Sequence, residues 1–157
     1  MTSTLQENPA PTLFSEDVKE YLGRAYAFWT PHPWWAFSAQ YLYEKTESEG
    51  LTSRPLNLKT QRLPLGVKFF HPSGFGAGVT TSYIKQDGEF IGGATGNSSF
   101  WVLDAALTYR LPNRYGFIAA GGSNLTDKRF NFYDTDPRNP TLLPGRMLFA
   151  RITLALP

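Results

Sequence analysis

The chain has no cysteine. Disulfide frameworks, thiolate metal centres and cysteine nucleophiles are therefore excluded. Charge is scarce as well: Asp, Glu, Lys and Arg make up 18% of the 157 residues, where an ordinary soluble domain carries about a quarter. With 15 Lys+Arg against 13 Asp+Glu, the net charge of +2 is too small a surplus to point to nucleic acid. No apolar run approaches the roughly 20 residues that a membrane helix needs. Residues 1–14 hold neither a basic stretch nor an apolar core, so no secretory signal is visible.

Aromatics are plentiful at 15%, and so are turn formers, with 14 Gly and 12 Pro. That composition rules out a coiled coil and opposes wholesale disorder or a helical enzyme domain. The mean hydropathy is nevertheless negative.

Proline marks an internal period. Phe28-Trp29-Thr30-Pro31, Phe69-Phe70-His71-Pro72 and Tyr109-Arg110-Leu111-Pro112 recur at about 40 residues, and the chain closes on Leu154-Ala155-Leu156-Pro157. Proline cannot donate to a ladder and pre-sets a turn dihedral, so each run ends there. Apolar sequence resumes at once behind the internal prolines, which reads as tight hairpins. The other connections, 47–58, 86–98 and 131–144, are longer and polar, and Asp87-Gly88 within the second is a turn signal. Seven strands are expected, over 21–30, 35–46, 59–70, 75–85, 99–111, 116–127 and 145–156. Several exceed the usual strand length of about 5–6 residues and match the roughly 9–11 tilted residues that cross a bilayer.

Within these segments apolar and polar residues alternate. Trp35, Phe37, Ala39, Tyr41 and Tyr43 form one row, opposed by Ala36, Ser38, Gln40, Leu42 and Glu44. Trp101 to Tyr109 and Phe75 to Tyr83 repeat the pattern. Strands one and six alternate less clearly, and Ala119-Ala120 with Gly121-Gly122 leave the sixth without a strong face. The bulky rings stand at the ends of the apolar rows: Trp29, Trp35, Phe69, Phe75 and Tyr109 towards one rim, Tyr43, Tyr83 and Trp101 towards the other. Two aromatic rows around an aliphatic band are the pattern of an outer-membrane barrel, where rings lie at headgroup level. The alternate rows would then face a lumen. They carry Arg24, Arg62, Lys68, Arg110 and Arg151 against Glu44 and Asp104. Such rows would make a poor dry core, because unpaired buried charge is costly. The expected fold is thus all-β: an antiparallel meander of about seven to eight strands, forming a transmembrane β-barrel or a fragment of a larger one. Residues 1–20 read as a loop or linker and 21–157 as the barrel segment.

The last third adds a motif. Asn124-Leu125-Thr126-Asp127-Lys128-Arg129-Phe130 precedes a polar loop, then Pro144-Gly145-Arg146 and a final alternating strand from Leu148 to Leu156. This resembles the C-terminal end of TonB-dependent receptors of Gram-negative outer membranes, with Asn124, Leu125, Asp127, Lys128, Gly145 and Arg146 as the matching positions. The resemblance implies part of a large antiparallel barrel in the cell outer membrane, a transporter of scarce nutrients such as metal chelates. It implies outer-membrane lipid, the barrel-assembly machinery and a plug or other upstream domain as partners. The family's plug and its TonB-contact segment have no counterpart here, and Leu156-Pro157 stands where the family usually ends on an aromatic. Seven strands, an odd number, with no signal peptide, read as the C-terminal piece of a longer barrel. Two other readings are a passive or anchoring barrel for a periplasmic domain, and a soluble lipocalin-like ligand-binding barrel with its apolar rows turned inward.

No catalytic constellation, metal site or cofactor site is expected. His32 and His71 both adjoin turn prolines and read as polar turn residues before a metal pair. Asp134, Asp136 and Asn139 have the short spacing of a calcium loop without its glycine and terminal glutamate, and read as turn residues. Gly92 to Asn97 lacks the Lys-Ser/Thr of a phosphate loop.

Overall fold

The computed structural model describes residues 17–49, 55–129, 132–134 and 145–155. Within them the chain forms one antiparallel sheet of seven strands, spatially ordered as in sequence. They are β1 Asp17–His32, β2 Trp35–Glu49, β3 Asn57–Phe70, β4 Phe75–Glu89, β5 Thr95–Arg110, β6 Gly116–Ser123 and β7 Met147–Leu154. Among the described residues no helix is long and apolar enough to cross a membrane, which says nothing of crossing by strands. The sheet is not closed: β1 and β7 each keep one unpaired edge among the described residues.

The proline-marked connections are short turns. Pro33-Trp34 link β1 to β2, and the β1–β2 register shifts between Trp29 and His32, where Pro31 interrupts the donors. His71 to Gly74 link β3 to β4, with Gly74 at φ 92°. The 3-10 turn Pro112–Arg114, with Asn113 at φ 54°, links β5 to β6.

The opposite rim differs from the expected one in three places. Asp87 and Gly88 do not turn. They pair with Asn97 and Gly96, so the ladder runs on and the β4–β5 connection shrinks to Phe90–Ala94. The turning is done by Gly92 and Gly93 at φ 86° and 79°, conformations open to glycine at little cost. β1 begins at Asp17, so 17–20 belong to a strand, paired with Thr46 to Glu49. β6 stops at Ser123, because Asn124 adopts φ 48° and leaves the ladder.

The small residues of β6 follow from its neighbours. A Cβ on Gly121 would lie 2.5 Å from the Ala105 carbonyl oxygen, and one on Gly122 would lie 2.7 Å from Leu148 Cδ2.

No second layer lies over this sheet among the described residues. Leu58, Ile84 and Phe100 are the buried hydrophobics among the described residues, joined by buried Ser48, Thr60, Gln86 and Asn124. All the strand members of this set share one face, the one that carries Arg62.

Two glycines separate backbone conformation from backbone crowding. A Cβ added to Gly92 would meet nothing within 4 Å, whereas one added to Gly116 (φ 133°) would collide with the Thr153 carbonyl oxygen. Gly92→Ala should cost about 1–2 kcal/mol, the left-handed penalty alone. Gly116→Ala should cost more and should loosen the β6–β7 pairing. Denaturant unfolding of the two variants measures the difference, and equal losses would contradict this geometry.

Candidate functional site

Register alone places every charged residue singled out above on one face. Arg24, Glu44, Arg62, Lys68, Asp104, Arg110 and Arg151 all point to the side that bears the buried residues. Trp29, Trp35, Tyr43, Phe69, Phe75, Tyr83, Trp101 and Tyr109 all point to the other side. We call these the basic face and the aromatic face.

On the aromatic face the rings meet across strands. Trp35 and Phe69 are register partners with ring centres 4.9 Å apart, Trp29 and Phe37 lie 5.4 Å apart, and Tyr83 and Trp101 lie 5.0 Å apart. Between the two rows lie Ala39, Leu65, Val67, Ala77, Val79, Ala105 and Leu107. This face is open to its surroundings: Trp29 is 65% exposed, Trp101 50% and Leu107 54%. Contiguous apolar exposure on this scale marks an interaction surface on a soluble monomer, or a surface meant for lipid. Trp34, in the turn between β1 and β2, packs edge-on against both His32 and His71 at 5.3 and 5.2 Å. The two imidazoles serve their own turns: His32 Nδ1 accepts from the Trp34 amide and His71 Nδ1 from the Ser73 amide. Among the described residues no three His, Asp or Glu side chains gather as a metal site. Asp136 and Asn139 lie outside the described residues.

Beyond the second aromatic row the strands continue and become charged. Lys19 pairs with Glu49 at 3.8 Å and Lys85 with Asp87 at 3.5 Å, while Lys45 binds Glu47. The hydrogen bond to Glu47 raises Lys45 above the ordinary lysine value of 10.5, and its counterpart lowers Glu47 below the ordinary 4.5. The contribution of this pair is therefore present between those values. It is lost as pH rises through the raised Lys45 value or falls through the lowered Glu47 value.

The basic face holds the motif and a strap. Asn124 clasps Lys128: its Oδ1 accepts the Lys128 amide at 2.9 Å and its Nδ2 donates to the Lys128 carbonyl at 3.0 Å. Asp104 Oδ1 accepts the Asn124 amide at 2.8 Å, and the Leu125 amide donates to the Leu103 carbonyl. Asp127 Oδ1 accepts the Arg146 amide at 3.2 Å. The two halves of the motif, about 20 residues apart, are thus one hydrogen-bonded corner. Residues 132–134 lie over the same face. Fully buried Gln86 accepts from the Tyr133 amide and donates to the Tyr133 carbonyl, both at 2.9 Å, and donates to Thr60 Oγ1 at 3.0 Å. Its side-chain amide thereby replaces a strand backbone. The Tyr133 ring lies 5.4 Å from Phe90, and Phe132 sits under the Arg62 guanidinium at 5.3 Å. Gly96 is small because Tyr133 occupies the space, 2.7 Å from where its Cβ would be.

Sequence reading misses Gln86, Thr60, Phe132 and Tyr133. An uncharged Gln in a strand carries no periodic signal, and its partner is 47 residues away. Arg24 is held by Gln40, whose amide oxygen accepts from Nη2 at 2.8 Å when turned towards it. Arg62 Nε has no hydrogen-bond partner among the described residues.

No protein-family model, no curated protein and no solved structure matches this chain.

The strap can be released without touching the ladder. Gln86→Leu removes three hydrogen bonds, each contributing about 0.5–1.5 kcal/mol. Amide hydrogen exchange at Tyr133 should accelerate by at least about tenfold, while the β4 amides keep their protection. Unchanged exchange at Tyr133 would show that Gln86 does not hold the strap.

Proposed function

We propose that this sheet is part of the wall of an outer-membrane β-barrel of the TonB-dependent-receptor type, serving uptake of a scarce nutrient such as a metal chelate. One observation carries the membrane half of this reading. On the aromatic face the large apolar side chains between the two rows of rings are exposed, while the buried Leu58, Thr60, Ile84, Gln86 and Phe100 lie on the other face, whose outer strand β1 also exposes Leu22, Tyr26 and Phe28. A soluble ligand-binding barrel requires the reverse. From Trp35 to Tyr43 the chain advances eight residues, about 26 Å at ~3.3 Å each. Tilted by ~40°, that gives about 20 Å, close to the ~25 Å apolar band of outer-membrane barrels.

Strand parity supports a larger barrel. In a seven-stranded antiparallel meander β1 and β7 run in the same direction, so they cannot pair antiparallel with each other. An odd number of further strands must lie between them for an antiparallel barrel to close. The same argument excludes antiparallel closure by a second copy inserted in the same orientation. Barrels of this kind normally have an even strand count.

The receptor half rests on the corner made by Asn124, Asp127 and Arg146 and on the basic face. Five positive residues against three negative ones, Glu20, Glu44 and Asp104, would present a basic lumen wall to an acidic plug surface or to anionic solutes. The barrel-assembly machinery and outer-membrane lipid are the partners that go with this reading. No enzymatic step is assigned, since the basic face gathers no nucleophile and base among the described residues.

Refolding separates the readings. In detergent the complete barrel that contains this sheet should give a folded, heat-modifiable species on a gel and should insert into lipid vesicles. A monodisperse monomer in water that binds no micelle would overturn the membrane reading. In the assembled receptor, Arg62→Glu combined with Arg151→Glu should weaken plug or solute binding, and unchanged binding would remove the basic wall from the mechanism. Uptake that stops when the proton gradient is collapsed identifies an active receptor, whereas gradient-independent conductance identifies a passive pore.

A further inference from the structure

At the short-turn end of the basic face lies a recess of about 520 Å³. Register sets its parts side by side. Phe70 pairs with Gly76, Gly76 with Thr108, and Arg110 with Phe117, so these positions share the basic face from β3 to β6. Phe70 and Phe117 are its two walls, 50% and 37% exposed. Gly76 is the floor. It lacks a Cβ, and the Thr108 hydroxyl leans into that space, 2.6 Å from where the Cβ would be. Arg110 completes the lining and is exposed. Two turns hold the end of β5 that carries it: the Arg110 amide donates to the Gly74 carbonyl at 2.8 Å and the Leu111 amide to the Gly116 carbonyl at 2.9 Å. The stem of the arginine is thus anchored at its backbone.

Charge at this end is unbalanced. No Asp or Glu lines the recess. Along β5 the nearest carboxylate is Asp104, about 20 Å away at ~3.3 Å per residue, and its Oδ1 already accepts the Asn124 amide. Every other described Asp and Glu of the strands lies nearer the long-loop rim. The described charged side chains at the short-turn end of the basic face, Lys68, Arg110 and Arg151, are all cations, and Arg151 sits over the Phe117 ring at 5.6 Å. Arg110 has no ion-pair partner among the described residues.

A mostly apolar hollow with a few convergent polar groups is the make-up of a small-molecule site. A carboxylate matches a guanidinium fork with two parallel hydrogen bonds. A planar ring matches phenylalanine walls by edge or offset contact. An inorganic anion would leave both rings unmatched, and an uncharged arene would leave Arg110 unpaired.

We propose that this recess binds an aromatic carboxylate entering from the lumen mouth on the short-turn side. Arg110 takes the carboxylate, the Thr108 hydroxyl donates to one of its oxygens, and the ring lies between Phe70 and Phe117. The position at a lumen mouth rests on the membrane reading given above.

The test uses the complete barrel protein that contains this sheet, refolded in detergent. Isothermal titration with 2-naphthoate, octanoate and 2-naphthylmethanol is corrected against protein-free micelles. Naphthoate should bind saturably and more tightly than either of the others, since octanoate lacks the ring and naphthylmethanol the charge. Arg110→Gln should weaken naphthoate binding at least about tenfold, the loss expected for hydrogen bonds to a charged group. Arg110→Lys should recover part of it, keeping the charge without the fork. Gly76→Ala should also weaken binding, because the new methyl displaces the Thr108 hydroxyl. All three variants should keep the heat-modifiable band of the parent. No saturable binding of naphthoate, as when an upstream domain already fills the recess, overturns the site while leaving the barrel in place. Unchanged binding by Arg110→Gln does the same, and equal binding of octanoate overturns the aromatic specificity. Absence of a heat-modifiable fold overturns the membrane reading itself.

Discussion

Everything in this molecule depends on the cross-strand ladder, because the sheet has no second layer to lean on among the described residues. Each β1–β5 strand is 14 to 16 residues long and pairs nearly end to end with its neighbour. That register converts alternation in sequence into two continuous surfaces. A slip of one residue in any strand would move its rings to the basic face and its charges to the aromatic face. Cross-strand ring pairs such as Trp35 with Phe69 and Tyr83 with Trp101 oppose such a slip, since each pairing is lost when the strand shifts.

The same ladder explains where side-chain polarity concentrates. Backbone groups inside the sheet satisfy one another, so polar side chains are needed where the ladder ends. Asn124 and Asp127 fill this role at the end of β6, adopting φ of 48° and 50° while their side chains bond Lys128 and Arg146. Gln86 fills it inside β4, turning a side-chain amide towards a strap that pairs with no strand. The outcome is a basic face partly covered at one end and an aromatic face left open along its whole length.

Much of this is legible in the residues. Prolines at 31, 72 and 112 locate the short turns, because proline constrains locally and needs no distant partner. The assignment of Arg24, Glu44, Arg62, Lys68, Asp104, Arg110 and Arg151 to one face follows from counting in twos within each strand. Asp87-Gly88 misleads, since the dipeptide favours a turn but Asn97-Gly96 opposite it continues the ladder, and Gly92-Gly93 offers a cheaper place to reverse. The end of β6 is hidden for a similar reason: Leu125 continues the apolar pattern, and only the clasp of Asn124 on Lys128 shows that the strand has already ended.

What the sequence determined by itself is the set of strands, their alternation and the two rows of rings, because each is fixed by local propensity and by the two-residue period of a pleated chain. What only the tertiary structure decided is which face is open and what lies across the other. Alternation is symmetric under exchange of the two faces, so the pattern reads the same for a soluble barrel and for one with its apolar rows outward. The asymmetry comes from long-range contacts such as Gln86 with Tyr133 and Arg62 with Phe132, which cover one end of the basic face and leave the rings exposed.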